Sequence, residues 1–134
     1  MRELNGHKVN PANDTLTVQV LDEPGSGGAC HSYEILGFDT GSNESRNADA
    51  EDSGIYQGIE VLFQNGPINE VGVNGLTHEA LLAILIDRLE GFQSGPYASR
   101  ENAIVLTKLQ EAQLWLQKRT RDRMARGVEG THQR

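Results

Sequence analysis

The sequence predicts an α+β protein: a small N-terminal antiparallel β-sheet followed by a two-helix antiparallel hairpin with a long C-terminal helix, oligomerising through the helices. Three observations predict it. Apolar residues alternate with period two only within residues 1–64. Residues 99–126, SRENAIVLTKLQEAQLWLQKRTRDRMAR, contain no Gly or Pro and consist largely of residues that lose little freedom in a helix. Large core residues are scarce, with three Phe, three Tyr and one Trp against fifteen Gly in 134 residues, so a small core helped by oligomerisation is expected.

In chain order, GHKVNPAND (6–14) is polar and turn-forming. TLTVQVL (15–21) then alternates, with Leu16, Val18 and Val20 on one face, and CHSYEILGF (30–38) continues the pattern through Tyr33 and Ile35. The intervening DEPGSGGA (22–29) predicts a hairpin with a long loop. DTGSNESRNADAEDSG (39–54) has no large apolar side chain and is expected to be a solvated acidic loop. IYQGIEVLFQ (55–64) reads as a third strand, and three strands with one apolar face need helices as cover.

NGPINEVGVNG (65–75) is a joint. It reads either as a strand-to-helix connection or as a ligand loop whose glycines admit close backbone approach. Thr77 suits the N-cap of a helix over 78–90, whose apolar residues exceed one stripe and predict burial on two sides. Gly91 and Gly95–Pro96 break that helix, Ser99 caps the next, and Gly127 stops it, with the tail 127–134 expected to fray. The chain is therefore expected to be a single domain, 1–134: a β-sheet region (1–64), the joint (65–75), a helical hairpin (76–126) and the tail.

Charge and composition narrow the function classes. The formal net charge of −7 argues against sequence-independent binding of long nucleic acid. The charge is uneven, since residues 1–64 hold eleven acids against three bases (−8) and 99–126 hold three acids against seven bases (+4). That asymmetry suits a small anionic ligand or subunit pairing. A single cysteine, Cys30, with no signal-peptide pattern and no apolar run of membrane-spanning length, leads to the expectation of a soluble intracellular protein with no membrane partner.

Catalytic patterns are missing. GSGG (25–28) lacks the Lys–Ser/Thr of a phosphate-binding loop, His78–Glu79 has no second His four residues on, and the acids at 44–52 read as solvated rather than metal-binding. Neither a metal nor a cofactor is expected.

The last helix carries the sharper signal. Asn102, Val105, Leu109, Ala112, Leu116, Arg119 and Arg123 share one face, apolar in the middle and polar at both ends. The helix macrodipole explains a basic C-terminal end. It does not explain why Arg119 and Arg123 extend the apolar stripe, four residues apart, where they form a fork suited to phosphate oxygens. Asn102 and Arg119 stand ~25 Å apart along one helix, too far for one small ligand. If the seam Val105–Leu109–Ala112–Leu116 packs antiparallel on its own copy, the Asn102 end of one chain meets the arginine end of the other, giving two composite pockets, with Phe92 available for stacking on a base. The alternative is a plain dimer seam without ligand.

The segment GPINEVGVNGLTHEALLAILIDRLEGFQSGPYASRENAIVLTKLQEAQLWLQKRTRDR (66–123) resembles the helical hairpin shared by two families of phage immune-evasion proteins. One is the Thoeris anti-defence sponge family. The other is the anti-CBASS cyclic-nucleotide sponge family, which is similar in the runs Ser99–Glu101 and Leu106–Trp115. VNPAND (9–14) and VLDEPGSGGACHSYEI (20–35) resemble the strands of the Thoeris-type member. The resemblance implies a bacteriophage protein that is not an enzyme. It would act in the cytoplasm of the infected bacterial host as a dimer or a hexamer built from dimers, sequestering cyclic nucleotide immune signals without cleaving them.

The signals implied are glycocyclic ADP-ribose from Thoeris TIR proteins, and also CBASS cyclic trinucleotides or dinucleotides in separate pockets. The ligand-contacting residues it implies are Phe92, Asn102, Arg119 and Arg123, with Asn65, Gly66, Asn69 and Arg100 for a second pocket. The competing readings are a nucleotide-signal hydrolase and a non-catalytic protein-binding adaptor.

Overall fold

The computed structural model describes residues 1–25, 27–46 and 58–131, which fall into two compact units, Met1–Phe63 and Gln64–Arg134. The first unit is a four-stranded antiparallel meander: β1 (Arg2–Leu4), β2 (Thr17–Val20), β3 (Ser32–Leu36) and β4 (Gly58–Leu62), with strand order β1-β2-β3-β4. A one-turn helix, α1 (Pro11–Asp14), sits between the first two strands, with Asn10 as N-cap accepting from the Asn13 N–H at 3.2 Å. The meander contains the three strands that alternation predicts. It adds β1, which at three residues is too short to show a period.

Register places the alternating residues in rows. Leu4 pairs with Val18, Val18 with Ile35, and Ile35 with Ile59, beside a second row in which Val20 pairs with Tyr33 and Tyr33 with Val61. Between them runs a polar row, Glu3, Gln19, Glu34 and Glu60, in which Glu34 and Glu60 stand directly opposite. Like charges in that position destabilise a sheet. Glu3 at the row's end is offset by Lys8, 2.9 Å away. Val20, 1% exposed, is the centre of this unit, and Tyr33 meets Phe63 edge to face at 5.7 Å.

The β2–β3 loop is tied by Asp22. Its carboxylate accepts the backbone N–H of Ser32 and, through both oxygens, that of His31. The Ser32 N–H, and then the His31 N–H and the nearby imidazole, hold this carboxyl below the usual carboxylate range, against an upward push from lost solvent. The acidic loop expected over 39–54 lies partly outside the described residues, as does the expected beginning of the third strand at 55–57. Among the described residues no group of three or more His, Cys, Asp or Glu is placed to hold a metal ion, and no helix is long and apolar enough to cross a membrane.

The second unit contains α2 (Ile68–Val71), α3 (His78–Gln93) and α4 (Arg100–Ala125). Thr77 Oγ1 caps α3 by accepting from the Ala80 N–H at 3.1 Å, and Ser99 Oγ caps α4 through the Asn102 N–H at 3.1 Å. Both caps satisfy helix-end donors as the sequence predicts. Helix α3 runs past Gly91 to Gln93, beyond the expected stop at 90. A lone glycine costs a helix only about 1 kcal/mol, whereas Pro96 lies where the chain has already turned.

Two hydrogen bonds set the hairpin register. Gln93 Oε1 accepts from the Ser99 N–H at 3.0 Å, and Gln113 Nε2 donates to the Glu79 carbonyl at 3.0 Å. The same antiparallel offset puts residue 114 opposite His78, the first residue of α3. The last three turns of α4 therefore run past the end of its partner helix. The shielded residues of α4, among them Asn102, Leu106, Leu109, Gln113, Leu116, Thr120 and Arg123, follow the alternating three and four spacing of a two-helix seam. Leu109 and Leu116, expected in a seam between copies, thus belong to the shielded stripe within the chain. Helix α3 is shielded along one side only, with Ile84 and Leu85 exposed on the other, rather than on the two sides expected.

Candidate functional site

The joint 64–76 forms a closed loop. Gln64 Nε2 donates to the carbonyls of Gly66 and Gly72, while Gln64 Oε1 accepts from the Asn74 N–H. Asn74 in turn bonds both backbone groups of Asn65. Gly66 takes φ +94°, and an added Cβ there would press on Val71 at 3.1 Å. Both amide side chains are thus occupied in closing the loop, and the loop's own packing explains Gly66.

Beyond the joint, the overhanging end of α4 carries a cleft of about 520 Å³ lined by Trp115, Lys118, Arg119, Asp122, Arg123 and Arg126. All six come from one helix at steps of three and four, so the cleft has a single wall. Trp115 is 70% exposed and supplies a flat apolar surface one turn before Arg119. Lys118 Nζ lies 2.7 Å from Asp122, four residues on.

Arg123 differs from its neighbours. It is 9% exposed and folds onto the chain that follows the helix. Its Nε donates to Glu129 at 2.9 Å, and one terminal nitrogen donates to the carbonyls of Val128 (3.0 Å) and Thr131 (3.1 Å). Gly127, at φ +72°, ends the helix as expected. The next residues do not fray. Gly130, at φ +81°, turns the chain back so that its carbonyl accepts from the Asn69 N–H at 3.4 Å. The rest of the expected fraying tail, 132–134, lies outside the described residues.

The structure places the remaining sequence-derived candidates as follows. Phe92 is one residue from the end of α3, 40% exposed, with the Arg88 guanidinium 5.6 Å from its ring centre. Asn102 is in the first turn of α4, half-shielded. These two share the hairpin-loop end of the unit. Arg119 and Arg123 share the cleft at the other end, about 25 Å away along the unbroken α4. Within one chain the four therefore form two pairs.

The second set divides in the same way. Asn65, Gly66 and Asn69 lie in the joint, before α3. Arg100 begins α4 and lines a groove of about 330 Å³ with Ala103, Ile104, Thr107 and Lys108. Reading the sequence alone misses Glu129, Val128 and Thr131 as partners of Arg123, and it treats Arg126 only as part of a basic helix end. The glycines at 127 and 130 permit a turned tail, but they suit a frayed one as readily.

The described residues combine a small antiparallel sheet with a helical hairpin whose longer helix ends in a one-walled cleft lined by four cationic side chains, one carboxylate and Trp115. Residues 56–121 match the family model described as the Acb2/Tad1 hairpin domain. The chain is also 53% identical, over 74 residues, to the protein named Thoeris anti-defense 1 of Bacillus phage SBSphiJ7. The match takes in 55% of this chain and 52% of the relative, so the chain spans about half the length of the curated relative it matches.

Proposed function

We propose that this chain is a phage anti-defence protein that binds and sequesters, without cleaving them, cyclic nucleotide signals of bacterial immunity inside the infected host. The observation that carries the reading is the 53% identity to a protein named for Thoeris anti-defence, in a chain whose matching hairpin ends in a cationic cleft. Glycocyclic ADP-ribose is the signal class we assign to it. The cleft supplies charge for phosphoryl groups through Arg119 and its neighbours, and Trp115 supplies apolar surface. The one carboxylate lining the cleft, Asp122, is paired with Lys118, which leaves it poorly suited to act as a general base. That pairing supports a binding role rather than an enzymatic one.

A one-walled cleft needs a second wall. We propose that a second copy supplies it, with its Phe92 and Asn102 end meeting the Arg119 and Arg123 end of the first, and that dimers build further to a hexamer. Val105, Leu114 and Trp115 of α4 and Ile84 and Leu85 of α3 offer the exposed apolar surface for such pairing. The groove at Arg100, joined by Asn65, Gly66 and Asn69 of another copy, is the second pocket in this reading, for cyclic trinucleotides or dinucleotides.

Sequestration works by mass action. Silencing an effector needs sites in excess and a dissociation constant near nanomolar, roughly −12 kcal/mol. The test is to incubate the protein with mixed cyclic nucleotide signals, remove unbound material, denature, and identify by mass spectrometry what is released. The expected result is intact ligand in stoichiometric amount. Release of a cleaved product would replace the reading with a hydrolase, and release of nothing would point to an adaptor.

A further inference from the structure

Helix α3 carries a single lysine or arginine, Arg88, one turn before Phe92. The positions that face it along the helix, three and four residues away on either side, are Ile84, Leu85, Gly91 and Phe92, none of them a carboxylate. Asp87 and Glu90 lie at steps of one and two, which point to other faces. Arg88 is exposed and makes no ion pair among the described residues. Its guanidinium lies instead over the Phe92 ring, 5.6 Å from the centroid. A cation in that position is drawn to the electron density of the ring face. Helical side chains lean toward the N-terminus, so Phe92, in the last turn of α3, leans back over Arg88 rather than out along the loop that follows.

We propose that Arg88 is a positioning residue for nucleotide binding: its guanidinium occupies one face of Phe92, holds the ring in place at the helix end, and leaves the other face as the platform on which a base stacks. The proposal rests on the nucleotide-binding reading above and adds to it a residue outside the ligand-contacting candidates. A loose ring loses its rotamer freedom when a ligand stacks on it, whereas a ring held beforehand has lost that freedom on folding. The cation therefore acts by pre-organisation. Closure of a second copy over this end would exclude water from the pair and strengthen the attraction between guanidinium and ring.

The test titrates the full-length protein and its Arg88→Met variant with cyclic ADP-ribose. Methionine keeps an unbranched side chain and a comparable helix propensity while removing the charge and the planar group. The variant should bind about three- to tenfold more weakly than the parent. In a Phe92→Leu background the same substitution should change affinity by less than about twofold, because Arg88 acts through the ring. Arg88→Lys, which keeps a cation, should recover part of the loss. A loss of equal size in both backgrounds overturns the positioning role, since Arg88 would then touch the ligand itself. Affinity within about twofold of the parent in Arg88→Met overturns it as well, leaving a surface pair that only steadies the helix end.

The contact is also read without ligand, by nuclear magnetic resonance. The Arg88 Hε signal should lie upfield of its position in Phe92→Leu, shifted by the ring current, and coincident signals overturn the contact on which the proposal stands. Parent protein that does not bind cyclic ADP-ribose overturns the nucleotide reading together with the role of Arg88. A parent that binds, loses affinity on Phe92→Leu and is indifferent to Arg88→Met overturns the role of Arg88 alone.

Discussion

Replacing Arg119 by Ala separates the ligand chemistry of the cleft from its structure. The side chain is exposed and holds no partner among the described residues, and Ala is at least as good a helix former, so folding stability should change by no more than about 0.5 kcal/mol. On the proposed reading, the lost contact is a charge-assisted hydrogen bond to phosphate. Such a bond is worth about 1.5–3 kcal/mol, or roughly ten- to 150-fold in affinity. Arg123→Ala should behave in the opposite way. It removes an ion pair to a 36% exposed carboxylate, worth about 0–1 kcal/mol after solvent screening, and two bonds to shielded carbonyls, at about 1–1.5 kcal/mol each. The sum is roughly 2–4 kcal/mol, taken mainly from the C-terminal turn. Isothermal titration with cyclic ADP-ribose, beside thermal melts of both variants, reads the two effects. The reasoning fails if Arg119→Ala keeps its affinity within about twofold, or if it melts as early as Arg123→Ala does.

Three further outcomes follow from particular contacts. Phe92→Ala should weaken nucleotide binding by about 1–3 kcal/mol if a base stacks on the ring, and unchanged affinity in the same titration would remove Phe92 from the site. Because the carboxyl of Asp22 is held below its ordinary range, its contribution to stability is complete above the unfolded pKa of about 3.9 and is lost as pH falls through the lower folded value. Urea midpoints measured from pH 6 to pH 3 should therefore fall less steeply in Asp22→Asn than in the parent, and equal slopes would argue that the Ser32 and His31 bonds contribute nothing. Gly37 has φ +95°, and a Cβ there would collide with the Thr15 carbonyl, so Gly37→Ala should lower stability by about 2 kcal/mol or more in chemical denaturation, whereas a neutral result would mean the β3 exit shifts freely.

What could be read in the sequence was local chemistry. Thr77 and Ser99 announce helix starts because a cap needs only the next three residues, and both accept the expected N–H. The strands over 15–21 and 30–38 show their period because one face is apolar, and the structure trims them to Thr17–Val20 and Ser32–Leu36 where the register ends. What could not be read depended on distant partners. Arg119 and Arg123 have the same residue type, the same helix and the same stripe, yet one is open and the other is 9% exposed. The difference comes from Glu129 and the carbonyls of Val128 and Thr131, in a segment whose two glycines signal a frayed end as readily as a turn. The long stripe of α4 was likewise ambiguous. Helical period shows that a face is buried and leaves open what covers it, and Leu109 and Leu116 prove to be shielded within the chain's own hairpin.

The single wall of the cleft bears directly on how a sequestering protein could reach its affinity. A pocket that holds a small molecule tightly covers most of its surface, and a groove along one helix leaves the ligand largely in water, where phosphate contacts are screened and stacking is one-sided. Such a surface limits how much affinity each contact can contribute. On the proposed reading, the overhang of α4 past α3 overcomes this limit. It leaves the cationic turns uncovered by α3, while Phe92 and Asn102 stand at the opposite end, and an antiparallel pairing of two copies would bring those ends together twice. The same pairing would remove Trp115 and Leu114 from water, so the apolar area that joins the copies would also lower the dielectric around the bound phosphates and strengthen each arginine contact. Binding strength and assembly would then rise together, because the wall each ligand lacks is the wall the other subunit provides.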